Sequence, residues 1–462
     1  MAIWERGNQG KTTRQDMTYL GSEPIPALFR RMAIPAIIGQ LTILANNFLD
    51  RMYVGHIDGC GGESLTAIGL STPILLFTTA IASLVAGGSP WVAILLGEQK
   101  VEQAHRVVGT SLSFLCSISL LLAVGIGLFQ EVLLAGCGTS PEMMPYAKTY
   151  LGIIAWGILP TNLTIGMAQF LTGQGLTKLG MRIIGMSVLL NLLLDPLFIF
   201  GFGWGLRGAA LATTFSMTVS ALQVVRHLFF SQHPIRLTVT HLGIDRQWLG
   251  ICLGMGFAPF LAMACEALVG LLYNANLSTY GGDVAVGAMA VYYVMGHVIA
   301  YLIMGLSMAM QPMMSYNFGR RSFERVLQCA HLLITWSIAI CSVIWLVMMV
   351  APGGVCRLFT NDAEIATFAS RYLRTYFLAG FLMGIPFVCM NTLRFVRQVR
   401  LAIGLVVFRR LLLSVPLIVL LPRLGVLPPV QAIFLSAPII DGVSALVMLC
   451  VSLRTIHHLQ GA

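Results

Sequence analysis

Residues 191–213 read NLLLDPLFIFGFGWGLRGAALAT: an apolar run holding one acid and one proline, a glycine-rich turn, then the start of a second apolar run. Extended to their polar ends, the two runs cover 180–203 and 207–230. About 20 apolar residues suffice to cross the hydrocarbon core of a bilayer, so each run is long enough to span it. No water reaches the backbone there, and a crossing segment must satisfy its own amides as a helix. The same signal recurs at 32–55, 66–92, 107–130, 147–171, 248–277, 285–309, 327–352, 367–392, 401–422 and 428–453. The sequence therefore predicts an all-α polytopic membrane protein with twelve transmembrane helices.

Composition points the same way. Hydrophobic residues make up 57% of the 462-residue chain and charged residues 10%, against about 25% charged in soluble domains. The net charge of +10 invites a nucleic-acid reading, but its placement argues for topology. With the N-terminus inside, 21 of the 28 Lys and Arg fall on the cytoplasmic side, among them Arg320, Arg321, Arg325, Arg394, Arg397, Arg400, Arg409 and Arg410. That asymmetry is the positive-inside rule, and it predicts a multi-pass membrane protein with both termini cytoplasmic. Residues 1–29 are polar and basic and show no apolar core of a cleavable signal peptide. The ten cysteines are scattered without ligand spacing, and no metal site is read from them.

An internal repeat organises the spans. Pro35 has a counterpart in Pro259, 224 residues on; Gly97 in ILLGEQKVEQAHRV matches Gly319 in SYNFGRRSFERVLQ at 222; Tyr150-Leu151 matches Tyr372-Leu373 at the same spacing. This divides the chain into a tail (1–29), an N-lobe with helices 1–6 (30–230), a basic cytoplasmic inter-lobe loop (231–247), a C-lobe with helices 7–12 (248–455) and a second tail (456–462). Paired six-helix halves suit a transporter, whose site is exposed to alternate sides as the halves rock. The segment GNQGKTTR resembles the end of a phosphate-binding loop, but Glu5 stands where that motif needs glycine. An ion gradient, with no cofactor, is the expected energy source.

The acids narrow the cargo. Asp58, Glu63, Glu98, Glu102, Asp362 and Glu364 fall in loops, whereas Asp50, Asp195, Glu266 and Asp441 fall in spans. A carboxylate at the helix centre costs about 2.5–3.5 kcal/mol on insertion scales, which makes each a functional hypothesis. Asn191 lies one turn before Asp195, and Pro196 follows it; the proline removes a backbone donor and loosens the helix beside the carboxylate. Asn47 lies one turn before Asp50, and Arg51 follows it. If Asp50 and Asp195 share one cavity, they resist joint ionisation and one retains a proton. A cationic substrate would then compete with that proton, with Thr213 and Thr214 supplying hydroxyls. Glu266 is the matching candidate in the second half. Asp441 reads as structural, and His297 and His331 as packed polar groups.

At these residues the chain resembles the multidrug and toxic compound extrusion (MATE) family, in its DinF-type prokaryotic branch. The resemblance runs from GSEPIPALFRRMAIPAIIGQ to the last span, through NNFLDRMYVG, LLGEQKVEQA, NLLLDPLFIFGFGWGLRGAALAT and GLSMAMQPMMSYNFGRR. It implies two six-helix lobes in the bacterial inner membrane and alternating-access export of cationic amphipathic drugs or metabolites, in exchange for protons or sodium. It also implies an ion-coupling and substrate site at Asp50, Asp195, Asn191 and Thr213, with Asn162 on the fourth helix, and the same Asp50, Asp195 and Asn191 would hold sodium in a sodium-coupled member. The chain departs from the pattern at Asn46-Asn47, where relatives commonly have Tyr-Asn, at the charged Arg51, and at Glu266, one residue out of register. The expected partners are a small-molecule cation and the lipid bilayer, without nucleic acid, and the expected working unit is a monomer. Two other classes compete. A lipid-linked saccharide flippase shares the architecture but needs a basic cavity. A membrane-embedded enzyme would need an HExxH, a GxSxG or a cluster of metal ligands, none of which the sequence contains.

Overall fold

A computed structural model describes residues 18–57, 60–137, 139–230, 235–359 and 363–461. Residues 1–17 of the N-terminal tail, 231–234 of the inter-lobe loop, the loop acids Asp58 and Asp362, and Ala462 lie outside the described residues. All secondary structure in the rest is helical. The first half holds α1 (Ile25–Gly55), α2 (Gly61–Gly97), α3 (Val101–Gly136), α4 (Met144–Gly173), α5 (Thr177–Gly201) and α6 (Gly205–Phe230).

The second half opens with one helical run of 74 residues, Arg246–Gly319. At 1.5 Å per residue that run would extend roughly 110 Å, several times the ~30 Å of hydrocarbon, so it cannot be one crossing. It divides at Gly282, where φ is 67° and ψ −166°, a conformation open essentially to glycine alone. The two crossings are α7 (246–281) and α8 (283–319), as the hydropathy minimum between 277 and 285 predicts. Helix α9 (Phe323–Val350) follows. The tenth span is bent by 64° between Ala363–Tyr376 and Gly380–Phe395, which together form α10. Pattern alone suggests one straight helix over 367–392, but Gly380, Gly384 and Pro386 crowd the bend and weaken the backbone ladder there. Helices α11 (Val399–Leu424) and α12 (Pro429–Leu459) complete twelve among the described residues.

The described chain forms two compact units. One contains Thr42–Gly256 and Ser315–Arg320 with the described residues up to Pro24; the other contains Ile25–Leu41, Phe257–Met314 and the residues from Arg321 onward. In the first unit α4 is the central helix, packed on α2, α3 and α6. Small residues let these helices approach closely, as membrane packing requires: Gly157 abuts Thr214, and Ala155, Ala209, Ala210 and Ala212 are buried. The repeat-related glycines Gly97 and Gly319 meet in this unit. A Cβ on Gly97 would collide with the Tyr316 carbonyl, and one on Gly319 with the Ile94 carbonyl. In the second unit α12 packs on both segments of α10 around a core that includes Ile385, Cys389, Leu393, Ala445 and Met448. Large apolar side chains such as Leu121, Leu128, Trp156, Leu346 and Leu446 point outward, the arrangement expected when lipid is the solvent.

Candidate functional site

The first unit gathers a polar cluster from α1, α5 and α6. Asn46 Nδ2 donates to Asn191 Oδ1 at 2.9 Å. Asn191 Nδ2 in turn donates to Asp195 Oδ1 at 2.9 Å and approaches Thr213 Oγ1 at 3.5 Å. The i, i+4 spacing of Asn191 and Asp195 puts them on one helical face, as their sequence predicts. The Asp50 and Asp195 side chains lie close enough to interact directly. Two carboxyl groups this close resist joint ionisation, an arrangement suited to holding one shared proton. Asp195 is 1% exposed and Asn191 6% exposed, so no bulk water stands in for these partners.

Local backbone explains why α5 offers this face. After Pro196 the helix continues as a π-helical segment, Leu197–Gly201. Proline lacks the N–H for the i→i−4 bond, and π-bulges of this kind are frequent at functional sites. The sequence-based reading of a helix loosened beside Asp195 matches this geometry.

The other candidate residues sit differently. Asn47 is exposed, and its neighbour Asn46 makes the bond to Asn191. Asn162 is fully buried on α4 but donates to Ser119 Oγ at 2.9 Å. Glu266 belongs to the second unit, where its Oε2 accepts from Arg410 Nη2 at 3.2 Å. Tyr150 is a component that sequence pattern did not reveal: it is buried on α4 and within electrostatic reach of both Asp50 and Asp195. It served only as a marker of the repeat, and a tyrosine in a span carries no signal of what it faces. Arg51 is exposed and acts on Asp50 as a nearby charge.

The second unit encloses a cavity of about 190 Å³ whose wall includes Glu266, Tyr293, Tyr376, Arg409, Arg410 and Asp441. Arg409 Nη2 donates to Asp441 Oδ1 at 2.7 Å. Both arginines lie in a π-helical segment of α11, Phe408–Ser414. By charge placement they count with the cytoplasmic basic residues, and each is paired with a span acid.

A third cluster, Glu102, His105 and His241, brings metal-ligand atoms within 4.8 Å of one another. His105 Nε2 accepts from the Arg236 backbone N–H at 3.2 Å while its Nδ1 meets the Val101 carbonyl at 2.9 Å. His241 Nδ1 accepts from the Thr238 backbone N–H at 3.1 Å. These bonds and the stacking of the two rings clasp the segment before α7 to the start of α3, with His241 Nε2 standing 3.7 Å from Glu102 Oε2.

Comparison with known proteins places this geometry in context. The MatE family matches the chain twice, over residues 35–197 and 259–420, which reproduces the two halves of the repeat. The multidrug export protein MepA of Staphylococcus haemolyticus is 26% identical over 389 residues, covering 84% of this chain and 85% of its own. A MATE crystal structure in complex with MaD3S superposes with a TM-score of 0.89 at 22% identity, over 97% of this chain and 99% of its own. The outward-facing conformation of a multidrug resistance MATE family transporter of the MOP superfamily gives 0.87 at 23%, over 98% and 100%. At such identities the structures establish the shared fold.

Proposed function

Since the chain belongs to the MatE family, we propose that it is a secondary antiporter that exports amphipathic organic cations in exchange for protons. The observation that carries this reading is the proximity of the Asp50 and Asp195 carboxyls, with Asn191 bonded to Asp195 and close to Thr213. In its resting form the pair holds one proton and one negative charge. A cation arriving near the pair favours two carboxylates, because each opposite charge in a low-dielectric site stabilises ionisation. The proton leaves, and the cation takes its place. Reprotonation from the other side expels the cation, so neither moves without the other. MepA is a multidrug export protein, and its relatedness supports the direction and the cargo class. The uneven distribution of Lys and Arg supports cytoplasmic termini, and alternating access between two six-helix halves supplies the exchange of sides.

The flippase alternative is less well supported. It needs a net-basic cavity for pyrophosphate, and Arg409 and Arg410 are each matched by an acid.

In inverted vesicles loaded with a pH-sensitive dye, added ethidium is expected to drive proton release in sodium-free buffer. Release that requires sodium would assign the pair to sodium instead, and the absence of any movement under either gradient would refute cation export. The brace makes a separate prediction. Asn46→Ala removes the donor to Asn191, a bond worth about 1–2 kcal/mol, and is expected to slow ethidium export about tenfold. Asn47→Ala, on the exposed neighbour, is expected to stay within about twofold of wild type in the same vesicle assay.

A further inference from the structure

The cavity of the second unit holds four charges that the cation mechanism does not use. Two come from adjacent residues of α11, Arg409 and Arg410, and two from carboxylates on other helices, Glu266 on α7 and Asp441 on α12. Helix α11 is the repeat counterpart of α5. Each carries a π-helical segment at a different height, Leu197–Gly201 and Phe408–Ser414; an acid precedes the first, and two arginines lie within the second.

The two ion pairs are unequal. Arg409 and Asp441 are 18% and 10% exposed and 2.7 Å apart, whereas Arg410 and Glu266 are 21% and 49% exposed and 3.2 Å apart. The first is a buried pair in close contact. The second has a carboxylate with about half its surface uncovered on the cavity wall, and so is held less closely by its guanidinium. Donors also exceed acceptors. Each guanidinium carries a fork of five N–H groups, Arg409 Nε is buried with no hydrogen-bond partner, and the buried hydroxyl of Tyr293 likewise has none among the described residues. Buried polar groups are normally paired, so these mark where an acceptor belongs. The remaining wall is aromatic and aliphatic, with Tyr376 stacked on Tyr292 at 4.8 Å and Ile299, Ile303 and Phe387 beside them.

We propose that this cavity is a second binding site, specific for the carboxylate of an amphipathic organic anion. The ligand's carboxylate displaces that of Glu266 from Arg410 and accepts from Tyr293, while its apolar body lies along the aromatic wall. Arginine suits this role because its planar fork matches a carboxylate bidentately. Glu266 acts as an internal competitor that keeps the site neutral while it is empty, and the Arg409–Asp441 pair holds α11 against α12. The site goes beyond the cation–proton exchange proposed above and uses none of its residues.

The test is equilibrium binding of dansyl-phenylalanine, read by fluorescence on the purified full-length protein in neutral detergent, with dansyl-phenylalanine amide as the uncharged control. No gradient is present, so the outcome is independent of coupled export. Wild type is expected to bind the acid at least tenfold more tightly than the amide. Glu266→Gln, which frees Arg410, is expected to tighten acid binding about tenfold and leave the amide unchanged. Arg410→Gln is expected to abolish the preference. Repeating the titration with phosphatidylglycerol in the micelle separates a soluble anion from a lipid: unchanged acid binding supports the carboxylate, and loss of it shows that lipid phosphate owns the site and overturns the proposal. Equal affinity for acid and amide in wild type, or weaker acid binding in Glu266→Gln, also overturns it. Because Glu266→Gln leaves both arginines in place, the result does not depend on Arg410→Gln folding.

Discussion

Asp195→Asn is expected to cut the rate of cation export by about 100-fold while leaving the protein folded. Asparagine keeps the shape of the side chain and can still accept from Asn191 Nδ2, which lies 2.9 Å from Asp195 Oδ1. It cannot carry the negative charge. A unit charge about 4 Å away contributes about 4 kcal/mol at an effective dielectric constant of 20. Desolvation of the cation offsets part of this, leaving roughly 3 kcal/mol, or about two decades in affinity. Asp50→Asn is expected to act in the same direction. The double variant should be no worse than the more damaging single one, because the two carboxyls share one proton and act as a unit. Initial rates of ethidium movement in vesicles, normalised to protein content, give the comparison. Wild-type rates in both single variants would remove the pair from the mechanism.

The largest expected effect on stability comes from the repeat-related glycines. At Gly97 and Gly319 a side chain meets backbone carbonyls, of Tyr316 and Ile94 respectively, and a carbonyl held in a helix cannot swing aside like a flexible side chain. Valine at either position is therefore expected to cost about 3 kcal/mol and to lower the midpoint of thermal unfolding in detergent by several degrees. The two substitutions open the same seam, so their combined cost should fall short of the sum. Gly127 on α3 is the control. A Cβ there meets nothing, and alanine should be neutral or stabilising by about 0.5–1 kcal/mol, as expected for removing a glycine from a helix interior. A Gly97→Val protein that melts with wild type would contradict the close approach of the two backbones.

Hydropathy made the twelve crossings legible because each must present about 20 apolar residues to lipid, whatever it packs against. The repeat was legible at Pro35, Gly97 and Tyr150 because backbone needs recur with the fold, and the MatE family matches both halves. The bend of α10 was not, since Gly380, Gly384 and Pro386 permit a bend without dictating one. Within the site, Asn191 and Asp195 could be paired by helical spacing, but spacing could not decide between Asn46 and Asn47, which are consecutive and point about 100° apart. Tertiary packing turns Asn46 to Asn191. The ion pairs of Arg409 and Arg410 were hidden for a related reason. Their partners lie 32 and 144 residues away in sequence, and a basic residue at a span end looks the same whether it faces water or an acid on another helix.

The central claim is that a cation and a proton compete for the carboxyl pair, and direct measurement of protons released on binding tests it without any transport step. Purified protein in weakly buffered detergent, titrated with ethidium between pH 6 and 8, is predicted to release up to about one proton per cation bound. Asp195→Asn is predicted to release none. Saturable cation binding with no proton release across that range, or the same release from Asp195→Asn, would contradict the account.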